Sequence, residues 1–252
     1  MKAIRVEDDD ARSLVWAERP RPDIDPEEVL VAVRATAVNR ADLLQRRGLY
    51  PPPEGASDIL GLEVSGVIAA VGERVDDWSV GDRVCALLAG GGYAEYAAVP
   101  ADMLLQVPDS LDLTRAAGIP EVFYTAYLNL RIEAEHSSGE AVLVHAGASG
   151  VGTAVIQLCQ HFDSPVYATA SRPKLSFLRD LGVEAAIDRK NEDFVERIRR
   201  QTDGRGVDII LDPVAGDYLP RNIDILAERG RLVVIGLLGG TRGELPADQL
   251  LI

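Results

Sequence analysis

Apolar and polar positions in the first half of the chain alternate or cluster in short runs, over 28–35, 63–71, 82–88 and 93–99, each bounded by Gly, Pro or Asp. Short runs punctuated on both sides predict β-strands, so residues 1 to about 119 read as mostly β. From Glu121 onward the period changes. Helical spacing over 122–130, 151–162, 174–181, 192–201 and 219–226 is interleaved with apolar runs at 141–145, 165–170, 185–188, 207–212 and 231–235. Strand and helix in turn predict a parallel sheet with helices on both faces. The expected architecture is α/β in two domains, 1–120 and 121–252. The proline cluster at 51–53 reads as a stiff extended connector inside the first half rather than a linker between domains.

The junction over 142–158 carries the densest chemistry. An apolar run, three glycines (Gly147, Gly150 and Gly152) and a helical pattern follow one another there. A strand turning tightly into a helix offers backbone N–H groups to an anion, and glycine serves where φ is positive or where a Cβ would hold a phosphate away. The spacing is G-x-x-G-x-G rather than G-x-G-x-x-G, so the strand before and the helix after carry the prediction of a dinucleotide site in a Rossmann-type sheet. The alternative is a βα turn whose glycines serve helix packing.

The corner after the next strand selects among nucleotides. An NAD-specific site places Asp or Glu about 20 residues beyond the glycines to accept the ribose 2′-hydroxyl. Here that corner reads Ser171-Arg172-Pro173-Lys174. A hydroxyl and two cations attract the 2′-phosphate that a carboxylate repels, which points to NADPH. The alternative is that Arg172 and Lys174 are ordinary solvated charges of a first helical turn.

Composition narrows the partners. A chain of 252 residues, 47% hydrophobic, has enough apolar surface for two cores. It contains no apolar run of 18 residues, and its start lacks the apolar stretch of a signal peptide, so a cytoplasmic location away from membranes is expected. The formal charge of −14 excludes nucleic acid as the expected partner and leaves small molecules. Cys85 and Cys159 share no metal-ligand spacing and read as buried small hydrophobes. Of the 26 basic residues 23 are arginine. An acidic, lysine-poor surface is tolerated best where salt screens it, which predicts a high-salt cytoplasm unless a GC-rich genome sets the arginine bias.

Several ordered motifs then converge. The run Asn39-Arg40-Ala41-Asp42-Leu43-Leu44-Gln45-Arg46-Arg47-Gly48-Leu49-Tyr50-Pro51-Pro52 is followed by Gly61-Leu62-Glu63-Val64-Ser65-Gly66 and Gly81-Asp82-Arg83-Val84. Next come Gly90-Gly91-Gly92-Tyr93-Ala94-Glu95-Tyr96, Pro120-Glu121, Thr125-Ala126 and His145-Ala146-Gly147-Ala148-Ser149-Gly150-Val151-Gly152. Over essentially the whole chain this resembles the zinc-independent quinone oxidoreductases of the medium-chain dehydrogenase/reductase superfamily, most of all their p53-inducible branch. The resemblance implies a GroES-like, mostly-β N-terminal domain that takes substrate and a Rossmann NADPH-binding domain. Zinc-dependent relatives carry Cys where this chain has Asn39 and His where it has Leu62, so no catalytic zinc is expected.

The implied reaction is hydride transfer from NADPH to a quinone or another conjugated carbonyl. Reduction of an enal or enone double bond is the enzymatic alternative, and an NADPH-binding remnant or sensor without turnover the non-enzymatic one. Asn39, Asp42 and Tyr50 match the family's polar positions near substrate: an amide to donate to the developing oxyanion, an orienting carboxylate, and a neutral phenol to supply a proton. The same residues also suit a helix over 40–47, with Asn39 as N-cap, Asp42 in the first turn and Gly48 just beyond its end. Thr125, Gly150, Val151, Ser171, Lys174 and Gly236 match cofactor positions. Arg189 stands where the family usually has Tyr, and can bind the 2′-phosphate by a charge-assisted bond. Asp212-Pro213-Val214-Ala215-Gly216 replaces the usual paired glycines, and His145 is expected to be a packed core residue. Relatives continue past the point matching Ile252 into a sixth strand and dimer contacts. The run 231–238 is therefore expected to be an open sheet edge, a liability for aggregation or swapped pairing, and the chain a homo-oligomer, a dimer, where that edge permits.

Overall fold

The computed structural model describes residues 1–250, so the expected domain limit at 252 lies outside the described residues. The chain divides into two compact units, Met1–Glu121 and Val122–Ile252.

The first unit contains β1 (Lys2–Val6), β2 (Leu14–Glu18), β3 (Glu28–Ala35), α1 (Arg40–Arg46), β4 (Glu63–Val71), β5 (Arg83–Leu87), β6 (Tyr96–Pro100), β7 (Leu104–Gln106) and the single turn α2 (Leu113–Ala116). Strands β6-β3-β4-β5-β7 form one antiparallel sheet, the half-barrel of a GroES-like domain, and β1 pairs with β2. Alternate residues of these strands, among them Val29, Val31, Val64, Ile68, Val84 and Val99, point into one core. The β1–β2 hairpin lies outside the runs marked by the sequence. Its inward face carries Ala3, Val15 and Ala17, while the large apolar Leu14 and Trp16 are exposed, so apolar residues stand on both faces and no alternation marks it.

The second half opens with α3 (Pro120–Tyr127), which widens into a π-helical turn over Leu128–Glu133. The sequence pattern predicts an ordinary helix over 122–130. The amide of Asn129 donates to the Thr125 carbonyl at 2.8 Å, a side-chain competitor for an acceptor that the regular backbone ladder uses. There follow β8 (Val142–Val144), α4 (Gly150–His161), β9 (Val166–Ala170), α5 (Leu175–Asp180), β10 (Ala185–Asp188), α6 (Phe194–Gln201), β11 (Val207–Asp212), α7 (Tyr218–Ile223) and β12 (Leu226–Val234). The five strands are all parallel, in the order β10-β9-β8-β11-β12.

The strand period sorts the side chains onto two faces. Val142, Val144, Ala168, Ile209 and Leu211 pack with Ala154, Val155 and Leu178 of α4 and α5. Leu143, Tyr167, Ile187 and Ile210 pack with Phe194 and Ile198 of α6. Helices therefore cover both faces, as a parallel sheet requires. Strand β12 starts earlier than the run at 231–235 indicates, because Leu226 already pairs with Val207 across a register shift. The helix before it accordingly ends at Ile223 rather than near 226. Among the described residues β12 is the edge of its sheet, and its Arg231 holds Glu140 through two hydrogen bonds of 2.9 and 2.8 Å. No helix among the described residues is long and apolar enough to cross a membrane.

Candidate nucleotide groove and polar cluster

Chain order places the switch point of the parallel sheet between β8 and β11: β9 and β10 extend it to one side of β8, β11 and β12 to the other. Ligands of such sheets bind beyond the carboxyl ends of the strands at that crevice. Here a groove of about 530 Å3 opens there. Its walls come from the residues that follow four strands: Ala146, Ser171, Arg189 and Val214 after β8, β9, β10 and β11 respectively. At a helix start the first N–H groups have no intrahelical partner. Ser149 caps α4 by accepting from the Gly152 N–H at 3.1 Å, and the remaining donors of that turn are available to an anion.

The three glycines of the turn do not work by positive φ. Their φ values are ordinary, and the left-handed residue of the turn is Ala146, at φ 52°. A Cβ at Gly147 would lie 2.7 Å from the Ala168 side chain, at Gly150 2.7 Å from Val122, and at Gly152 2.6 Å from the backbone of Gly147. Close packing of turn, strand and helix start thus requires them. Their bearing on the groove is indirect, through the tightness of the turn that brings the helix start to it.

Of the nucleotide residues expected from sequence, Ser171, Lys174 and Arg189 line the groove. Gly150, Val151 and Gly152 form the start of α4, and Gly147 the turn below it. Arg172 is exposed in the same corner and does not line the groove; the Asp188 carboxyl is held below its ordinary range first by its hydrogen bond from the Asn191 side chain, with the Arg172 charge adding least. Thr125 lies on α3, away from the lining, and Gly236 packs against the Pro213 carbonyl at the foot of the 213–217 loop. That loop is itself a wall, with Val214, Ala215, Asp217 and Tyr218 contributing to it. Sequence reasoning flagged it only as a departure from the family. His145 is fully buried, as expected.

In the first unit a second polar constellation forms around the start of α1. Asn39 occupies the N-cap position, and its N–H donates to Asp42 Oδ2 at 2.7 Å. Its side-chain Nδ2 donates to Glu63 Oε1 at 2.7 Å, while Glu63 Oε2 accepts from the Glu121 N–H at 2.9 Å. The phenol that joins this cluster is Tyr93, whose hydroxyl donates to Asp42 Oδ2 at 2.9 Å. Tyr50 is half exposed at the far end of α1 and is not brought to Asn39 or Asp42 by any hydrogen bond among the described residues. A signal for Tyr93 existed in the glycines around it. A Cβ at Gly61 (φ 108°) would lie 2.6 Å from the Tyr93 ring, and one at Gly92 2.9 Å from the Glu63 carbonyl.

Burial sets the electrostatics of this cluster. Asp42 and Glu63 are each 1% exposed. Burial pushes Glu63 up, opposed by its bonds from Asn39 and Glu121 and aided by the Asp42 charge. Burial likewise raises Glu121, and the charges of Glu63 and Asp42 add to it. Tyr93 is raised by burial and then by the Asp42 charge, so it remains a protonated donor. The Cys85 thiol is pushed up to about 11 by burial and the Glu63 charge, and the Cys159 thiol to about 12 by burial alone. Both cysteines are free and buried.

Residues 25–109 match the alcohol dehydrogenase GroES-like domain family and residues 150–252 the zinc-binding dehydrogenase family. The chain is 38% identical over 211 residues to the phenolphthiocerol synthesis polyketide synthase type I of Mycobacterium marinum, covering 83% of this chain and 10% of that protein. It thus spans about a tenth of the length of the curated relatives it matches. Among solved structures it is similar to CurK enoyl reductase, with 32% identity and a TM-score of 0.87 over 99% of this chain and 76% of that one. It is equally similar to a mycobacterial quinone oxidoreductase, with 32% identity and a TM-score of 0.86 over 100% and 78%. The same figures hold for mycobacterial Rv1454c complexed with NADPH. The chain belongs to the medium-chain dehydrogenase/reductase superfamily.

The name of the second matched family raises the question of zinc. Such a centre takes three or four Cys, His or acidic ligands. Among the described residues no group of three or more His, Cys, Asp or Glu is arranged to hold a metal ion, and Asn39 and Leu62 offer neither thiolate nor imidazole. The residues present do not fit a zinc centre.

Proposed function

We propose that the chain is an NADPH-dependent reductase of conjugated carbonyl compounds, a quinone in the first instance, working without zinc in the manner of the p53-inducible quinone oxidoreductases. The observation that carries the nucleotide is the groove beyond four parallel strand ends, with Ser171, Lys174 and Arg189 on its lining. Two cations and a hydroxyl there suit a 2′-phosphate, which NADPH has and NADH lacks. The likeness to Rv1454c complexed with NADPH supports the same cofactor.

When bound, NADPH supplies the hydride; with one proton it converts a quinone to the hydroquinone and leaves NADP+. The chain's own part is to orient and to manage the proton. Lys174 and Arg189 hold the nucleotide's phosphate. Glu63 fixes the Asn39 amide by accepting from its Nδ2, and Asp42 fixes the Tyr93 hydroxyl by accepting from it. Asn39 serves the substrate oxygen, Asp42 orients the cluster, and Tyr93 is the protonated phenol held on Asp42.

A second reading, reduction of an enoyl double bond, is favoured by the likeness to CurK enoyl reductase and to the polyketide synthases. One experiment separates the readings: fluorescence titration with NADPH and NADH, then NADPH oxidation with benzoquinone or a crotonyl thioester as acceptor. NADPH preference with quinone turnover supports the first reading. Turnover of the thioester alone selects the second, binding without turnover leaves a nucleotide-binding protein, and binding of neither nucleotide overturns the proposal. In Arg189→Ala the preference for NADPH over NADH is expected to fall about tenfold, the loss of one charge-assisted bond.

A further inference from the structure

His145 follows β8 directly and is fully buried, with its ring edge-on to Phe194 and Tyr218 at centroid distances of 4.9 and 4.8 Å. A hydrophobic cage of that kind has no need of an imidazole, yet both ring nitrogens are engaged. Nδ1 lies 3.0 Å from Thr169 Oγ1 and Nε2 2.8 Å from Asn222 Oδ1. The Asn222 amide nitrogen donates to Asp212 Oδ2 at 2.8 Å, which turns its oxygen toward the imidazole. An oxygen accepts, so Nε2 carries the proton; Nδ1 of the neutral ring then accepts from the Thr169 hydroxyl.

The chain of bonds ends on the groove at both sides. Thr169 lines one wall. At the other end Asp212 Oδ1 accepts from the N–H groups of Val214 and Ala215, at 2.7 and 3.1 Å, and both residues line the opposite wall. Ala215 is held at φ 58°, and Ala146, adjacent to His145 and also on the lining, at φ 52°. Non-glycine residues in the left-handed region are strained and persist where surrounding bonds fix them. Two of them flank this network.

We propose that His145 is a positioning residue for the nucleotide groove, linking Thr169 on one wall to the Asp212-held Val214–Ala215 turn on the other as a neutral, Nε2-protonated imidazole. The inference rests on the NADPH reading of that groove. The link fixes the width of the opening, so the nucleotide meets a preorganised wall instead of ordering a loop on arrival. Burial holds the imidazole below its ordinary pKa, and the charges that act on it, Asp212 and Arg221, oppose one another.

The test has two arms. The chain has three histidines, so long-range 1H–15N NMR of the intact protein resolves the His145 tautomer. Nε2–H with no titration across the neutral range is expected, and an Nδ1–H or charged ring at neutral pH overturns the proposal. In the second arm NADPH is titrated into wild type, His145→Gln and His145→Leu, with melting curves for each. Gln offers one N–H donor and one carbonyl acceptor in the place of the imidazole, and is expected to retain affinity within a few-fold. Leu is expected to weaken binding about tenfold. Equal affinities in the two variants, whether high or low, overturn the proposal. Failure of wild type to bind NADPH overturns instead the reading of the groove, and the NMR arm then judges the hydrogen-bonded link on its own.

Discussion

The groove of the second unit and the cluster of the first are built in opposite ways. The groove is made of backbone: a turn of three close-packed glycines, a helix start, and the ends of parallel strands, with side-chain charge added at Lys174 and Arg189. The cluster joins four places distant in sequence: the side chains of Asn39 and Asp42 at the start of α1, of Glu63 on β4 and of Tyr93, and the Glu121 N–H on α3. A backbone site is intolerant of added volume and indifferent to most side chains. A side-chain site depends on its acceptors and fails when one of them is removed.

The difference is sharpest at Gly152. In Gly152→Ala the new methyl meets Gly147 backbone atoms at 2.6 Å, which no rotamer relieves. A stability loss of about 3 kcal/mol, the upper end of ordinary overpacking, and loss of NADPH binding are expected by thermal melting and titration. A variant with unchanged melting and binding would break the contrast. Asp42→Ala should act the other way. It strips the acceptor from the Asn39 N–H and the Tyr93 hydroxyl, and about 2 kcal/mol of stability should go with NADPH affinity unchanged.

The smallest effect is a divergence with pH. Glu63 and Glu121 titrate above their ordinary 4.5, so the folded state binds more protons than the unfolded one between 4.5 and the raised values. Their contribution is greatest below that window and declines as pH rises through it. In the second unit Glu140 is held below 4.5, first by its hydrogen bond from Arg231, and Asp208 below 3.8 by its bond from Arg205. Their contribution is present above those ordinary values and declines as pH falls through the lowered ones. Hydrogen exchange followed by mass spectrometry should show β11 and β12 losing protection on acidification while β4 does not; parallel loss in both would erase the distinction.

The sequence disclosed these regions unequally for the same physical reason. Period and punctuation placed β3, β4, β10 and β11 at their observed limits, since each strand buries its residues in a regular register. The glycine turn and the Ser171–Lys174 corner were visible because each is a contiguous string. Tyr93 and Glu121 were passed over as cluster members because their partners are far away along the chain, and Tyr50, near Asn39 in sequence, lies at the opposite end of α1. The hairpin β1–β2 escaped because its exposed Leu14 and Trp16 break the apolar alternation. The 213–217 loop was noticed only as a mismatch, since nothing in its sequence announces a left-handed Ala215.

The two thiols bear on the chemical durability of the chain. Cys85 and Cys159 are its only cysteines, both are buried, and their pKa values near 11 and 12 leave about one thiolate in 10^4 or fewer at neutral pH. Quinones and enones arylate or alkylate proteins by adding to thiolates, and such thiols present no nucleophile to them. In a chain so constructed, soft electrophiles of that kind find no reactive thiolate at Cys85 or Cys159.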